Sequence, residues 1–101
     1  MRLVLEITFS GFEWDAAKEQ LNIEKHGIGF DEAVVALSEP HIEQRSDREG
    51  ESRILAICDF FGRVIFIIYT VRDEKCRIIS ARAARHHEED KYRDHFPGGR
   101  A

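Results

Sequence analysis

The chain has 101 residues, which is enough for one domain with a single modest core. Its charged residues (34%) are mixed in sign and 43% of its residues are hydrophobic, so the composition is ordinary for a globular protein and does not indicate disorder. No apolar run approaches membrane-spanning length, and the acidic residue at position 6 argues against a secretory leader. We therefore expect a cytoplasmic protein with no membrane partner.

The net charge of −4 is distributed unevenly along the chain. Residues 1–40 contain three basic and eight acidic side chains, whereas residues 63–85 contain six basic and two acidic ones. Because salt screens distant charges, a local basic region can attract phosphate groups even on an acidic protein. The C-terminal half therefore remains a candidate for contact with nucleic acid.

The residue types that bind metals or form disulfides give no recognisable pattern. Cys58 and Cys76 lie in apolar, strand-like runs, which indicates buried thiols in a reducing compartment. The histidines near the C-terminus match no spacing of metal ligands, and there is no glycine-rich phosphate loop. We expect neither a bound metal nor another cofactor.

The N-terminal residues have the periodicity of a strand. Between Leu3 and Phe9 every second side chain is apolar, which predicts a half-buried strand over residues 3–9. Gly11 interrupts the alternation, and residues 12–14 either continue the strand or restart it.

A first helix is predicted from Asp15, a good N-cap residue, to about His26. Gly27 follows as a residue in the left-handed conformation, which commonly ends a helix. Lys25 and His26 then occupy the last turn, where positive charge suits the helix dipole.

A second helix is predicted after a short glycine-containing connection. Asp31 is its expected cap, and Phe30 is expected to pack on Val35 as a hydrophobic staple. Pro40 ends this helix at about Ser38, because the residue before a proline avoids the helical conformation.

Three strands are predicted at residues 53–58, 63–71 and 75–82, which are rich in Ile, Val, Phe and Tyr. Turns at residues 60–62 and 73–74 join these strands into an antiparallel meander.

The polar segments on either side of the meander are assigned from their composition. Residues 42–52 suit a short edge strand plus a loop, and residues 84–96 suit a mostly exposed C-terminal helix. The order of elements predicts an α+β fold, in which an antiparallel meander packs against two N-terminal helices.

A hypothetical register brings polar residues together on one face of this meander. Pairing Cys58 with Val64 puts Arg53 opposite Tyr69, and a bulge residue contributed by the second turn then brings Tyr69 beside Ile78. One face of the sheet then carries two arginines, a tyrosine and a serine: Arg53, Tyr69, Ser80 and Arg82. Such a set offers cations for a phosphate and a hydroxyl or ring for positioning, as an RNA-cleaving site requires.

Six short motifs resemble the BrnT toxin family in their order and spacing, over about residues 12–92. They are Phe12-Glu13-Trp14-Asp15, Lys25-His26-Gly27, Phe30-Asp31-Glu32-Ala33, Gly50-Glu51-Ser52-Arg53, Tyr69-Thr70-Val71-Arg72 and Arg77-Ile78-Ile79-Ser80-Ala81-Arg82-Ala83. Residues 1–11 precede the usual start of the family, and the C-terminal helix is net acidic where the family is usually more basic.

The resemblance implies a RelE-like toxin domain, expected over residues 1–96, and residues 97–101 are expected to be a disordered tail. It implies a metal-independent ribonuclease toxin that inhibits translation and growth. The implied partners are RNA and the antitoxin BrnA, which neutralises the toxin in a heterotetramer and alone contacts promoter DNA. The alternative is a non-catalytic homologue that binds the antitoxin in transcriptional autoregulation.

RelE-type cleavage, which the resemblance implies, uses the 2′-hydroxyl of the RNA as the nucleophile. It requires a base, an acid and cations around the phosphate. His26 is a candidate base or acid, or else only a helix-end residue, and Glu51 is a candidate base or only orients Arg53. Tyr69 is a candidate for positioning a base or ribose. The candidate phosphate contacts are Lys25, Arg53, Arg72 and Arg82, with Arg77 and Arg85 as further RNA-binding cations.

Overall fold

A computed structural model describes residues 1–98 of the chain. Residues 99–101, which belong to the predicted tail, lie outside the described residues. The described elements are β1 (Arg2–Val4), β2 (Gly11–Glu13), α1 (Ala16–His26), α2 (Phe30–Leu37), β3 (His41–Arg45), β4 (Ile54–Phe60), β5 (Arg63–Arg72), β6 (Lys75–Ala83) and α3 (His86–His95). Among residues 1–98, no helix is both long enough and apolar enough to cross a membrane.

The strands form one mixed sheet in the order β1-β3-β4-β5-β6-β2. From β3 to β6 every neighbouring pair is antiparallel, as the predicted meander requires, and β1 adds a further antiparallel edge beside β3. β2 pairs in parallel with β6 at the opposite edge. The α+β class is therefore confirmed, but the sheet is mixed because the N-terminal segment crosses it and supplies a strand to each edge.

Helices cover both faces of the sheet. α1 and α2 pack on one face, here called the two-helix face, and α3 packs on the other, here called the α3 face. The core of the two-helix face is built on side chains that include Phe30, Leu37, Ile65, Ile67 and Ile78. The smaller core of the α3 face consists of Ile42, Ile57, Val64, Phe66 and Tyr92.

α1 begins and ends where the sequence predicts. The Asp15 carboxylate accepts a hydrogen bond of 3.0 Å from the backbone N–H of Lys18, and this bond holds the pKa of Asp15 below its ordinary value. Gly27 adopts φ 71°, and its N–H donates to the carbonyl of Ile23 at 2.8 Å.

The conformation of Gly27 gives a stability prediction. We expect Gly27→Ala to lower the free energy of unfolding by about 1 kcal/mol, because a side chain at this positive φ is strained although no neighbouring atom obstructs it. Gly11→Ala is the matched control, since Gly11 also faces open space and has no positive φ. Chemical denaturation measures both variants, and equal stabilities would contradict the expectation.

α2 begins two residues earlier than predicted. Gly29, not Asp31, is the N-cap, and its N–H donates to the Glu32 carboxylate at 2.9 Å. The predicted staple is also wrong, because Phe30 is fully buried in the core whereas Val35 is 49% exposed. The helix ends at Leu37 before Ser38, as predicted.

The first hairpin corrects the predicted register by one residue. Its turn uses only Phe61 and Gly62, both at positive φ, so Phe60 pairs with Arg63. Cys58 therefore pairs with Ile65 instead of Val64, and Ile54 instead of Arg53 lies opposite Tyr69.

The second hairpin contains the predicted bulge in a different place. Arg72 pairs directly with Lys75 across the turn, and the extra residue is Ile79, inside β6. Tyr69 lies opposite Ile78 as predicted, and β6 regains its pairing where Ile68 faces Ser80.

The predicted strand over residues 3–9 is wrong beyond Val4. Leu5 is 65% exposed, because the chain leaves the sheet edge there and turns across the two-helix face. Phe9 packs edge-on against Tyr69 with ring centroids 5.5 Å apart. The strand restarts as β2, and the presence of β1 makes β3 an internal strand instead of the predicted edge.

The remaining predictions about burial agree with the structure. Cys58 and Cys76 are both buried and do not form a disulfide bond with each other, and burial raises the pKa of Cys76 to about 12. α3 is exposed on most of its surface, as predicted, and its buried residues are Glu88 and Tyr92.

Candidate functional site

Four arginines line a hollow of about 290 Å³ on the α3 face. We call it the arginine hollow, and its lining residues are Ser46, Arg48, Arg53, Leu55, Phe66, Ile68, Arg82, Arg85 and Glu88. Arg53, Arg82 and Arg85 were predicted from the sequence as RNA contacts, and the structure brings these three together.

Different elements bring the arginines to this hollow. Arg53 directly precedes β4, Arg82 lies near the end of β6, and Arg85 is the N-cap residue of α3. Arg48 lies in the loop between β3 and β4, where its backbone exchanges hydrogen bonds of 2.9 and 2.7 Å with Glu51. This tight turn ends two residues before Arg53, and both arginines line the hollow.

Arg82 is the most firmly positioned cation in the hollow. Its two terminal nitrogens donate to both oxygens of Glu88 at 2.8 and 3.0 Å. Its guanidinium carbon lies 4.1 Å from the ring centroid of Phe66, a cation–π distance. The side chain is 20% exposed, so it presents a fixed charge with little freedom to rotate.

Glu88 holds Arg82 in place and is poorly suited to accepting a proton. Burial disfavours its charged form, but the hydrogen bonds from Arg82 and from the backbone N–H of Arg85 outweigh burial and lower the pKa of Glu88. Sequence reasoning missed this residue. Its position three residues after the cap at Arg85 is the capping-box spacing and is the signal that identifies it.

Arg53 is bound more loosely than Arg82. Its Nη2 donates to Glu51 at 3.4 Å, and the two side chains are 30% and 38% exposed. The Nε of Arg53 is buried and has no hydrogen-bond partner among residues 1–98. Arg53 thus keeps donor capacity for a ligand, and Glu51 is a solvent-accessible carboxylate beside it.

The charge of the hollow favours anions. Four guanidinium groups and the single Glu88 carboxylate line it, leaving an excess of three positive charges. Arg48 and Arg85 form no ion pair with any other described side chain. Guanidinium groups bind phosphate through paired hydrogen bonds, so the hollow suits a phosphodiester.

The prediction that Tyr69 shares a face with Arg53 and Arg82 is wrong. Tyr69 points into the two-helix face, where it is 3% exposed. Its partner on β6, Ile78, precedes the bulge at Ile79, whereas Arg82 follows the bulge. Its hydroxyl donates to Glu43, and burial together with this carboxylate raises the pKa of Tyr69 far above its ordinary value.

Glu43 is the centre of a buried polar network on the two-helix face. Besides the Tyr69 hydroxyl it contacts Nε2 of the fully buried His41 at 2.8 Å, and Arg2 lies 3.6 Å away. Burial disfavours the charged carboxylate, but the hydrogen bonds from His41 and Tyr69 outweigh it and lower the pKa of Glu43. Tyr69 therefore stabilises the fold and does not reach the arginine hollow.

Lys25 and His26 lie in a separate groove, about 250 Å³ in volume, beside α1. We call it the α1 groove, and it is lined by Lys18, Leu21, Asn22, Lys25, His26, Ile79 and Ser80. It has no lining residue in common with the arginine hollow. The structure therefore does not place these two residues beside Arg53 and Arg82.

Arg72 and Arg77 do not line the hollow either. Arg72 is exposed at the turn between β5 and β6, and Arg77 lies 3.7 Å from Glu13 of β2. Because side chains alternate between the two faces along β5, Arg72 lies on the α3 face, but at the end of the strand beside the turn and away from the hollow.

The protein is thus a small α+β domain with a cationic hollow that four arginines line. A family model described as ribonuclease toxin, BrnT, of type II toxin-antitoxin system matches residues 14–88, and the chain belongs to this family. The match confirms the resemblance and includes every residue that lines the hollow. Searches of curated proteins and of solved structures gave no match.

Proposed function

We propose that the protein is a metal-independent ribonuclease toxin and that the arginine hollow binds the phosphodiester to be cleaved. Membership of the ribonuclease toxin family supports the activity. The convergence of Arg48, Arg53, Arg82 and Arg85 on one hollow is the observation that supports the location. The RelE-like mechanism stays a part of this proposal.

In the proposed reaction the RNA supplies its own nucleophile. The 2′-hydroxyl loses its proton, its oxygen attacks the adjacent phosphorus, and the bond from phosphorus to the 5′-oxygen breaks. The 5′-oxygen takes a proton from water, and the hydroxide so formed takes the proton that the base removed, leaving a 2′,3′-cyclic phosphate and a 5′-hydroxyl. Negative charge accumulates on the phosphate oxygens in the transition state, where Arg53 and Arg85 donate hydrogen bonds beside the fixed charge of Arg82.

Glu51 is the proposed base for the 2′-hydroxyl. It is 38% exposed and its contact with Arg53, at 3.4 Å, is long, so it can accept a proton from a bound substrate. Glu88 is excluded from this role because both its oxygens accept hydrogen bonds and its pKa is lowered.

The proposed partner is the antitoxin of the pair, a small DNA-binding protein that neutralises the toxin in the cytoplasm. A heterotetramer, with promoter DNA contacted only by the antitoxin, belongs to the same proposal. An acidic or apolar segment of the antitoxin that covers the arginine hollow excludes RNA without changing the fold.

Expression of the protein without its antitoxin tests the proposal. We expect growth arrest, and we expect the purified protein to cut RNA in the presence of a metal chelator, leaving cyclic-phosphate and 5′-hydroxyl ends. Normal growth with abundant soluble protein and intact RNA would contradict the enzyme and support the non-catalytic antitoxin-binding alternative.

A further inference from the structure

We propose that the α1 groove is a second RNA subsite, which binds the backbone of nucleotides next to the cleaved bond. This inference rests on the proposed function, because it assumes that RNA occupies the arginine hollow. It assigns Lys18 and Lys25 to substrate binding outside the reacting centre and moves Lys25 and His26 out of the catalytic set.

The groove has a rigid wall. β2 pairs only with residues 75–77 of β6, so the outer edge of the rest of β6 faces α1. The Asn22 side chain closes this edge, since its amide donates to the carbonyl of Ala81 at 2.8 Å and its oxygen accepts the N–H of Ala81 at 3.1 Å. α1 is thereby held against the outer edge of β6.

The groove presents the groups that single-stranded RNA requires. Lys18 and Lys25 are seven residues apart on the same face of α1, are exposed, and form no ion pair with another residue of 1–98. Leu21 is 65% exposed between them, and the half-buried His26 adds an aromatic ring. Lysines contact phosphates, whereas apolar and aromatic side chains pack against bases.

One pair of residues connects the positions of the two sites, since the hollow lies on the α3 face and the groove lies at the outer edge of β6, beside α1. Ile68 lines the hollow, and Ser80, its partner on β6, lines the groove. Neighbouring strands lie about 4.8 Å apart, so the two sites are separated by roughly one strand. The Ser80 side chain is partly exposed and lines the groove, so its hydroxyl is accessible to an RNA strand that passes over it.

Binding of uncleavable RNA of two lengths tests the subsite. RNA with 2′-O-methyl groups lacks the nucleophile, and we would use a three-nucleotide and an eight-nucleotide strand. Each phosphate contact contributes about 0.7 to the slope of log K against log salt for single strands, so Lys18→Ala/Lys25→Ala is expected to reduce the slope for the longer strand by about 1.4. The three-nucleotide strand, which occupies the hollow, is expected to bind the variant and the parent equally.

Lys91→Ala is the control for charge alone, because Lys91 is an exposed cation on α3 outside both sites. An unchanged slope for the longer strand, or equal weakening of both strands, would overturn the subsite. A parent protein that binds neither strand overturns the subsite and the proposed function together. A parent that binds both strands with the expected slopes but does not cut unmodified RNA overturns only the nuclease.

Discussion

Arg53→Ala is expected to lower the rate of RNA cleavage about 100-fold or more and to abolish growth inhibition. Loss of one positioned donor to the transition-state charge has this magnitude in enzymes that stabilise an oxyanion. The fold is expected to stay intact, because Arg53 is 30% exposed and its only ion pair, among residues 1–98, is with the accessible Glu51. Single-turnover cleavage and the thermal midpoint measure the two effects separately.

Two further variants define what the result means. Arg63→Ala removes the same charge at the turn between β4 and β5, outside the arginine hollow, and is expected to cleave like the parent. Arg53→Lys keeps the charge but loses the paired hydrogen-bond geometry, so an intermediate rate is expected. If both Arg53→Ala and Arg82→Ala cut RNA as fast as the parent, the arginine hollow is not the cleavage site.

Glu43→Ala is expected to lower the free energy of unfolding by about 3 kcal/mol and the thermal midpoint by roughly 15 °C. The substitution leaves the hydroxyl of Tyr69 and Nε2 of His41 without their shared acceptor inside the core. Thermal denaturation measures the effect. Glu6→Ala is the control, since Glu6 is an exposed carboxylate in the same N-terminal region and is expected to change stability little.

The pH dependence of stability checks the same network. Because the pKa of folded Glu43 lies below its ordinary value of 4.5, its stabilising contribution is present above that value. It is lost as the pH falls through the lower folded pKa. The stability difference between the parent and Glu43→Gln should therefore shrink on acidification, and a difference that grows would contradict the charged state assigned to Glu43.

Local signals in the sequence predict the boundaries of α1 and the strands of the meander well. The boundaries of α1 follow from Asp15 and Gly27, because a cap and a left-handed residue act within one turn. The strands of the meander follow from their β-branched and aromatic composition. Each of these signals acts between residues that are close in the sequence, so it can be recognised without knowing the fold.

The errors occur where distant parts of the chain decide the structure. Leu5 fits a strand by its periodicity, but no neighbouring strand extends far enough to pair with it. A turn shorter by one residue shifts the pairing of Cys58, and the position of the bulge at Ile79 decides which part of β6 faces the hollow. These choices depend on the packing of whole strands.

The candidate site was predictable in its charges but not in its internal contacts. The sequence indicates Arg53, Arg82 and Arg85 as cations for RNA, and the structure brings them together in one hollow. The pairing of Arg82 with Glu88 depends on the direction in which α3 leaves the sheet, which composition does not determine. Tyr69 was assigned to the wrong face because that prediction depended on the strand register, which differs from the observed one by one residue.

The placement of β1 and β2 at opposite edges has a consequence for the order in which the chain assembles. The hairpins of the meander pair residues that are close in the sequence. In contrast, Leu3 pairs with Ile42 and Phe12 pairs with Cys76, which are far apart along the chain. Contacts between distant residues form at a greater entropic cost and slow folding. During synthesis the first thirteen residues therefore cannot pair until β3 and β6 have been made, and β1 and β2 are expected to join the sheet last.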